Sequence, residues 1–416
     1  MSHDTGFAAY AARLRQFMNE QASLSSDYRL EQRPEAELPF NTLALALFAL
    51  QFDSVPILRK LCEGRHVRPG NIGDWREIPA LPTTAFKEFE VTSLRAEERS
   101  AVFHSSGTTE QQPSRHFHNT ESLALYEASL LPWFRAHVLA DWPVTLTPIR
   151  QPEAPASPVA GMSLIGLTPS PALAPLSSLA HMLGTIAHAF NWSGTAFLGT
   201  TGPDGAWTID TTRLPQMLQL AVAVARPLAI LGTAFNFVHL LDHLAAHDLR
   251  LQLPPGSRVM ETGGYKGRSR TVPKAELHAL ITKHLGIPDD HIVCEYGMSE
   301  LSSQAYDWTI GNTELETRNS ERTFRFPPWA RVQIISPETG REVRVGETGL
   351  IRVFDLANVR SVLAVQTEDL GVRREDGFEL LGRVGATEPR GCSLMSVPAS
   401  GIWPPPSGQP PAAAAA

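Results

Sequence analysis

From residue 101 to about 300 the chain alternates short apolar runs with amphipathic stretches, and this rhythm limits its architecture more than any other feature. Residues 228–232 read as a buried strand, 235–247 carry the helical period, and 257–261 return to strand character. A helix over 274–285, stopped by Gly286, then leads into another strand at 292–296. Strand–helix–strand repetition predicts an α/β fold with parallel and mixed sheets, in which ligands bind at the carboxyl ends of the strands.

The flanks differ. Residues 1–100 read as mainly helical, with helical spacing again from Leu43 through Leu61, and the run 43–50 is apolar nearly all round, so that second helix reads as buried. Residues 101–300 form the α/β core of this reading, and 301–391 turn to half-buried hairpin strands such as 331–336 and 349–354, separated by a turn at 337–340. Residues 151–178, rich in Pro, Ala and Ser, read as a long loop or insertion, and 392–416 as a C-terminal tail whose end, 404–416, carries no fold signal. With 43% hydrophobic and 19% charged residues the chain is ordinary globular material. A net charge of -7 gives no basic field for a nucleic-acid polymer. The one apolar stretch of membrane length, 218–237, is broken by Arg226 and Pro227 and reads as a helix followed by a strand, so no membrane span is expected. No secretory leader is visible, and Cys62, Cys294 and Cys392 are odd in number with no CxxC pairing. A reducing, cytoplasmic location is the expectation.

Three loops, each directly after a predicted strand, carry chemistry. Ser105, Ser106, Gly107, Thr108 and Thr109 offer hydroxyls and backbone N–H groups around one glycine, which suits a phosphate cradle or a polar surface turn. The pattern is not a Walker loop, because the G-x-x-x-x-G-K-[ST] spacing is missing. Gly263, Gly264, Tyr265 and Lys266 combine tight turning, a flat ring for stacking and a cation, or form an ordinary glycine turn. Tyr296, Gly297, Met298, Ser299 and Glu300 place a carboxylate just beyond a strand end, where it either holds Mg²⁺ near phosphate or opens a helix as an N-terminal acid.

The order of these loops, followed by Thr367-Glu-Asp369 and Leu381-Gly-Arg383, resembles the adenylate-forming superfamily of acyl-CoA synthetases and related ligases over roughly residues 75–391. The resemblance implies that Ser105, Ser106, Gly107, Thr108 and Thr109 bind ATP phosphates and that Gly263, Gly264 and Tyr265 lie along adenine. Tyr296, Gly297, Met298 and Ser299 would line the nucleotide, Glu300 and Thr108 would hold Mg²⁺, Asp369 the ribose hydroxyls, and Arg383 would contact the nucleotide from the hinge motif. Glu110 and Glu368 depart from the glycines usual there.

Members of that superfamily continue past the hinge into a mobile lid with a catalytic lysine. Here no lysine follows Lys283, so the full C-terminal lid domain is expected to be absent, and Lys266 is the candidate catalytic cation. The chain continues instead as Arg390-Gly-Cys-Ser-Leu394, and with Glu261-Thr-Gly-Gly-Tyr-Lys-Gly267 upstream it resembles the acyl-protein synthetase (LuxE-type) family. That family implies activation of a fatty or other carboxylic acid as acyl-AMP, thioester formation on Cys392, and delivery to a partner such as a fatty-acid reductase. Chemistry agrees, because adenylation creates a good leaving group and a thiolate is the side-chain nucleophile best suited to displace it. Two alternatives remain: a truncated acyl-CoA or aryl-CoA ligase that uses CoA as acceptor, and a scaffold that has lost turnover. Cys62 and Cys294 read as structural, and His104 as a packed strand-end residue or a carboxylate-orienting one.

Overall fold

The computed structural model describes residues 3–24, 34–105, 112–142, 161–190, 192–202, 207–263, 272–307, 309–310 and 322–383. Helices α1 (His3–Leu24), α2 (Pro34–Ser54) and α3 (Pro56–Gly64) open the chain, followed by β1 (Leu81–Pro82) and the short α4 (Ala85–Glu88). A separate antiparallel hairpin, β2 (Ala101–His104) and β3 (Arg115–His118), feeds α5 (Thr120–Val138), whose first turn is capped by the Asn119 side chain.

Next come β4 (Ser163–Gly166), α6 (Ser178–Ala189), β5 (Thr195–Phe197) and a small hairpin of β6 (Gly199–Thr201) and β7 (Trp207–Ile209). Helix α7 (Arg213–Ala223), β8 (Leu228–Thr233), α8 (Ala234–Ala246), β9 (Arg258–Thr262), α9 (Lys274–Leu285) and β10 (Ile292–Tyr296) complete the alternating part. Strands β11 (Ala305–Asp307), β12 (Phe324–Arg325), β13 (Ala330–Ile335), β14 (Thr348–Asp355), β15 (Ala364–Arg374) and β16 (Gly377–Arg383) close the described chain.

Among the described residues one 12-stranded sheet runs through the molecule in the order β13-β14-β15-β16-β12-β11-β10-β9-β8-β4-β5, with β1 pairing β15. Strands β5, β4, β8, β9 and β10 are mutually parallel, and from β10 onward each neighbour along that order is antiparallel. The parallel half is covered on both faces, as βαβ crossovers require. Ile165, Ile230, Val259 and Ile292 pack with α7, α8 and α9, while Leu164, Leu231, Met260 and Val293 face α5 and α6. Each fully buried aliphatic side chain there contributes about 1.5–3 kcal/mol from its removal from water.

The α/β expectation with parallel and mixed strands holds. Strand β10 and helix α9 fall where the pattern puts them, and Gly286 ends α9 in the left-handed conformation at φ +70°. The stretch of membrane length is indeed α7 followed by β8, and among the described residues no single helix is long and apolar enough to cross a membrane.

One reading needs correction. Residues 151–178 were expected to form one long loop, yet 163–166 are strand β4, paired on one side with β5 and on the other with β8. The surrounding Pro, Ala and Ser hide a four-residue apolar strand, which two flanking strands stabilise and local composition does not.

Candidate active site

The loop after β2 is closed at its base by two serines. The Ser105 N–H donates to the Ser114 carbonyl at 3.1 Å, and the Ser114 N–H donates to Ser105 Oγ at 2.9 Å. Ser106, Gly107, Thr108 and Thr109 lie outside the described residues. The base of the loop is tied to the segment after β10, because the Ser114 hydroxyl donates to Glu300 Oε1 at 2.6 Å. His116, two residues further along β3, approaches the Ser299 carbonyl with Nδ1 at 2.8 Å. Burial holds its imidazole well below the usual range, at about 4, against the opposing effect of that hydrogen bond.

Glu300 is buried, and its second oxygen accepts from the Ser299 hydroxyl at 3.1 Å. Its carbonyl accepts from Asn358 Nδ2 at 3.0 Å, and the following Ser302 and Ser303 N–H groups both donate to Asp355 Oδ2, at 2.9 and 2.8 Å. No helix follows Glu300; the chain turns and enters β11 at Ala305. The helix-opening alternative for this carboxylate therefore falls away. A buried carboxylate flanked by two hydroxyls is an oxygen-rich setting of the kind a hard cation accepts.

Asp369 comes to the same end of the sheet from β15. The Tyr296 hydroxyl donates to Asp369 Oδ2 at 2.9 Å, so the post-β10 motif and the Thr367–Asp369 segment meet although 73 residues separate them. Burial raises the Asp369 carboxyl above its ordinary value, while the Tyr296 hydrogen bond and the Arg383 charge pull the other way. Thr367 orients the segment, donating to the Ile351 carbonyl at 2.8 Å and accepting the Asp369 N–H at 3.1 Å. Arg383 stands opposite Asp369 in the β15–β16 register, with its guanidinium exposed and bonded to Glu368 Oε2 at 2.7 Å.

Gly263, just past β9, takes φ +70°, a left-handed conformation open to glycine. Gly264, Tyr265 and Lys266 lie outside the described residues, as does Cys392. A Cβ at Gly297 would sit 2.3 Å from Glu295 Oε1, so any larger residue would push that carboxylate aside. Met298 packs at the edge of the N-terminal core. His104 donates its backbone N–H to the Leu176 carbonyl, and burial and Arg115 lower the pKa of its ring.

Sequence reasoning missed Ser114, Glu295, Asp355 and Asn358. Ser114 had a weak signal as the serine after Pro113 at the far end of the hydroxyl-rich loop. Glu295 sits at the end of β10, where it bonds the Thr262 hydroxyl, and burial raises its carboxyl to about 7. Nothing local marks Asp355 or Asn358, which reach the site through the β-rich half of the sheet.

A parallel sheet half with these strand ends at its carboxyl edge, continued by antiparallel strands that return an aspartate to the same edge, is similar in fold to the adenylate-forming ligases. The chain superposes on 2-hydroxyisobutyryl-CoA ligase in an open conformation with 2-HIB-AMP and CoA at a TM-score of 0.58 and 12% identity, covering 83% of this chain and 70% of that one. The same ligase in its post-adenylation state gives a TM-score of 0.57 at 13% identity, covering 83% and 68%.

At the level of sequence the resemblance narrows. Residues 202–398 match the family model for acyl-protein synthetase, LuxE. A 115-residue stretch is 29% identical to the long-chain-fatty-acid–luciferin-component ligase of Vibrio harveyi, and that match covers 25% of this chain and 30% of the relative. The resemblance to LuxE-type acyl-protein synthetases read from the motifs is thus borne out over that part of the chain.

Proposed function

We propose that this protein activates a carboxylic acid, a fatty acid foremost, with ATP and transfers the acyl group through Cys392 to a partner protein such as a fatty-acid reductase. In the first step a carboxylate oxygen bonds the α-phosphorus of ATP and the bond to pyrophosphate breaks, giving acyl-AMP. In the second the Cys392 thiolate attacks the acyl carbon and AMP leaves, giving a thioester.

The observation that carries the reading is the convergence of three distant segments. Ser114 binds Glu300, and Tyr296 of the same post-β10 motif binds Asp369. Within this proposal the Ser105–Thr109 loop cradles the phosphates, Gly263, Gly264 and Tyr265 lie along the base, and Tyr296, Gly297, Met298 and Ser299 line the nucleotide. Asp369 takes the ribose and Arg383 contacts the nucleotide from the sheet edge. Glu300 and Thr108 would hold Mg²⁺, which when bound offsets charge on the phosphate oxygens. Lys266 supplies a second cation.

The test has two arms on the full chain. A suitable acid should support exchange of labelled pyrophosphate into ATP in the presence of Mg²⁺; release of ADP and phosphate would sink the adenylation step. Labelled acid plus ATP should then mark the protein through a bond cleaved by neutral hydroxylamine, and Cys392→Ala should lose that label while keeping the exchange. The structural likeness to a CoA ligase favours one competing reading. Its signature would be no protein label with either form, and acyl-CoA when CoA is added.

A further inference from the structure

Behind the two strands whose ends carry the candidate site lies a cluster with no role in the proposed reaction. Glu261 on β9 and Cys294 on β10 are register partners, and both side chains point toward α9, where His278 meets them. The thiol donates to Glu261 Oε1 at 2.8 Å; His278 Nε2 lies 3.6 Å from Sγ and 3.5 Å from the same carboxylate oxygen. All three residues are buried. A tetrahedral zinc ion with ordinary Zn–S, Zn–N and Zn–O bonds sets its ligand atoms about 3.4–3.6 Å apart. Two of the three edges already have that length, and the third is a thiol hydrogen bond that opens once its proton leaves.

A second observation points the same way. The far nitrogen of His278, Nδ1, lies 3.5 Å from Asp289 Oδ1, which Arg322 Nη2 also holds at 2.9 Å. A carboxylate behind a histidine fixes the tautomer that leaves Nε2 free to bind metal, the usual support of a zinc-bound imidazole.

We infer that Glu261, His278 and Cys294 form a zinc site that clamps β9 to β10 and to α9, directly behind the Gly263 and Tyr296–Glu300 loops. Charge accounts for the state without metal. Lys274 Nζ, entering from a side chain 42% exposed and passing over the Phe324 ring, stands 3.3 Å from Glu261 Oε1 and neutralises it. Binding Zn²⁺ releases the thiol proton, and the ion then balances one carboxylate and one thiolate. Lys274 swings back toward solvent, and water takes the fourth position. Thiolate, imidazole and carboxylate together select zinc over magnesium or calcium, which prefer all-oxygen sites. The inference is independent of the acyl-transfer reading, because its readouts are metal content and spectra.

The full-length protein is stripped with chelator and titrated with Zn²⁺ and, as a spectroscopic probe, Co²⁺. About one equivalent of either ion should bind, with Co²⁺ giving the ligand-field bands of tetrahedral coordination and a thiolate-to-cobalt charge-transfer band in the near ultraviolet. That band should vanish in Cys294→Ser and persist in Cys62→Ser and Cys392→Ser. Cobalt binding without the sulfur band, a band that survives in Cys294→Ser, or no stoichiometric binding overturns the site and leaves a buried Glu261 that pairs with Lys274 and accepts the Cys294 thiol. Should Cys294→Ser fold poorly, Asp289→Asn, on a side chain 71% exposed, decides instead. Metal affinity should fall by about 10–100-fold, and unchanged affinity overturns the assignment.

Discussion

Glu300 accepts two hydroxyl hydrogen bonds, from Ser114 and Ser299, and offers negative charge at the edge where the loops meet. Glu300→Gln keeps an acceptor of nearly the same size and removes that charge. Both hydroxyls can rotate to suit an amide, so the fold should persist, with a stability change of about 1–3 kcal/mol from the weakened charge-assisted bonds. Pyrophosphate exchange should fall by ~10²-fold or more, the range seen when one electrostatic stabiliser is removed from a preorganised site. The measurement is exchange rate against Mg²⁺ concentration alongside thermal unfolding. Unchanged exchange with unchanged Mg²⁺ dependence would reduce Glu300 to a structural partner of Ser114.

Strands β9 and β10 hold the loops in register at the scale of the element. Thr262 and Glu295 are paired across the two strands and hydrogen-bonded, and Gly297 follows so closely that an added Cβ would lie 2.3 Å from Glu295 Oε1. Gly297→Ala therefore forces the carboxylate off Thr262 or the loop off its path. Overpacking of this kind costs about 1–3 kcal/mol, and here the strain falls on the segment between Tyr296 and Glu300. Melting should drop by a few degrees, roughly in proportion to that cost, while nucleotide affinity suffers more than stability. Equal affinity in Gly297→Ala and wild type, read by nucleotide titration, would mean that the loop is not part of the nucleotide site.

For the whole molecule, acid is the expected weakness. His116, His118 and His137 are buried, and burial holds their imidazoles low, His116 at about 4, His118 well below its usual value and His137 at about 3. These are folded values depressed below the unfolded 6.5, so between the two the unfolded chain binds protons that the folded chain refuses. The stabilising contribution is complete above pH ~6.5 and is lost as pH falls through ~6.5 toward 4, at up to about 1.4 kcal/mol per pH unit for each histidine. Chemical denaturation at pH 7 and pH 5 should show this decline, and replacing His118, whose two ring nitrogens have no hydrogen-bond partner among the described residues, by Phe should make it shallower. A denaturation midpoint independent of pH across that window would mean that these rings titrate freely.

Local sequence determined the elements wherever side-chain period and punctuation were strong. Residues 292–296 had to be a buried strand, 274–285 a helix stopped by Gly286, and the glycine- and hydroxyl-rich loops had to follow strand ends. It also marked Glu300, a carboxylate just past a strand end, by residue type and place; Asp369, within β15, was marked only by the resemblance of Thr367-Glu-Asp369 to a motif of the adenylate-forming superfamily. Tertiary structure decided what no window could contain. It made 163–166 a strand by supplying β5 and β8 on either side, and it brought Ser114 to Glu300 across 186 residues. It also set Asp355 and Asn358 beneath the loop after β10, and gathered Glu261, His278 and Cys294 behind it. Periodicity is imprinted by neighbours one to four residues apart, whereas a hydrogen bond between distant side chains exists only after the sheet has chosen its strand order.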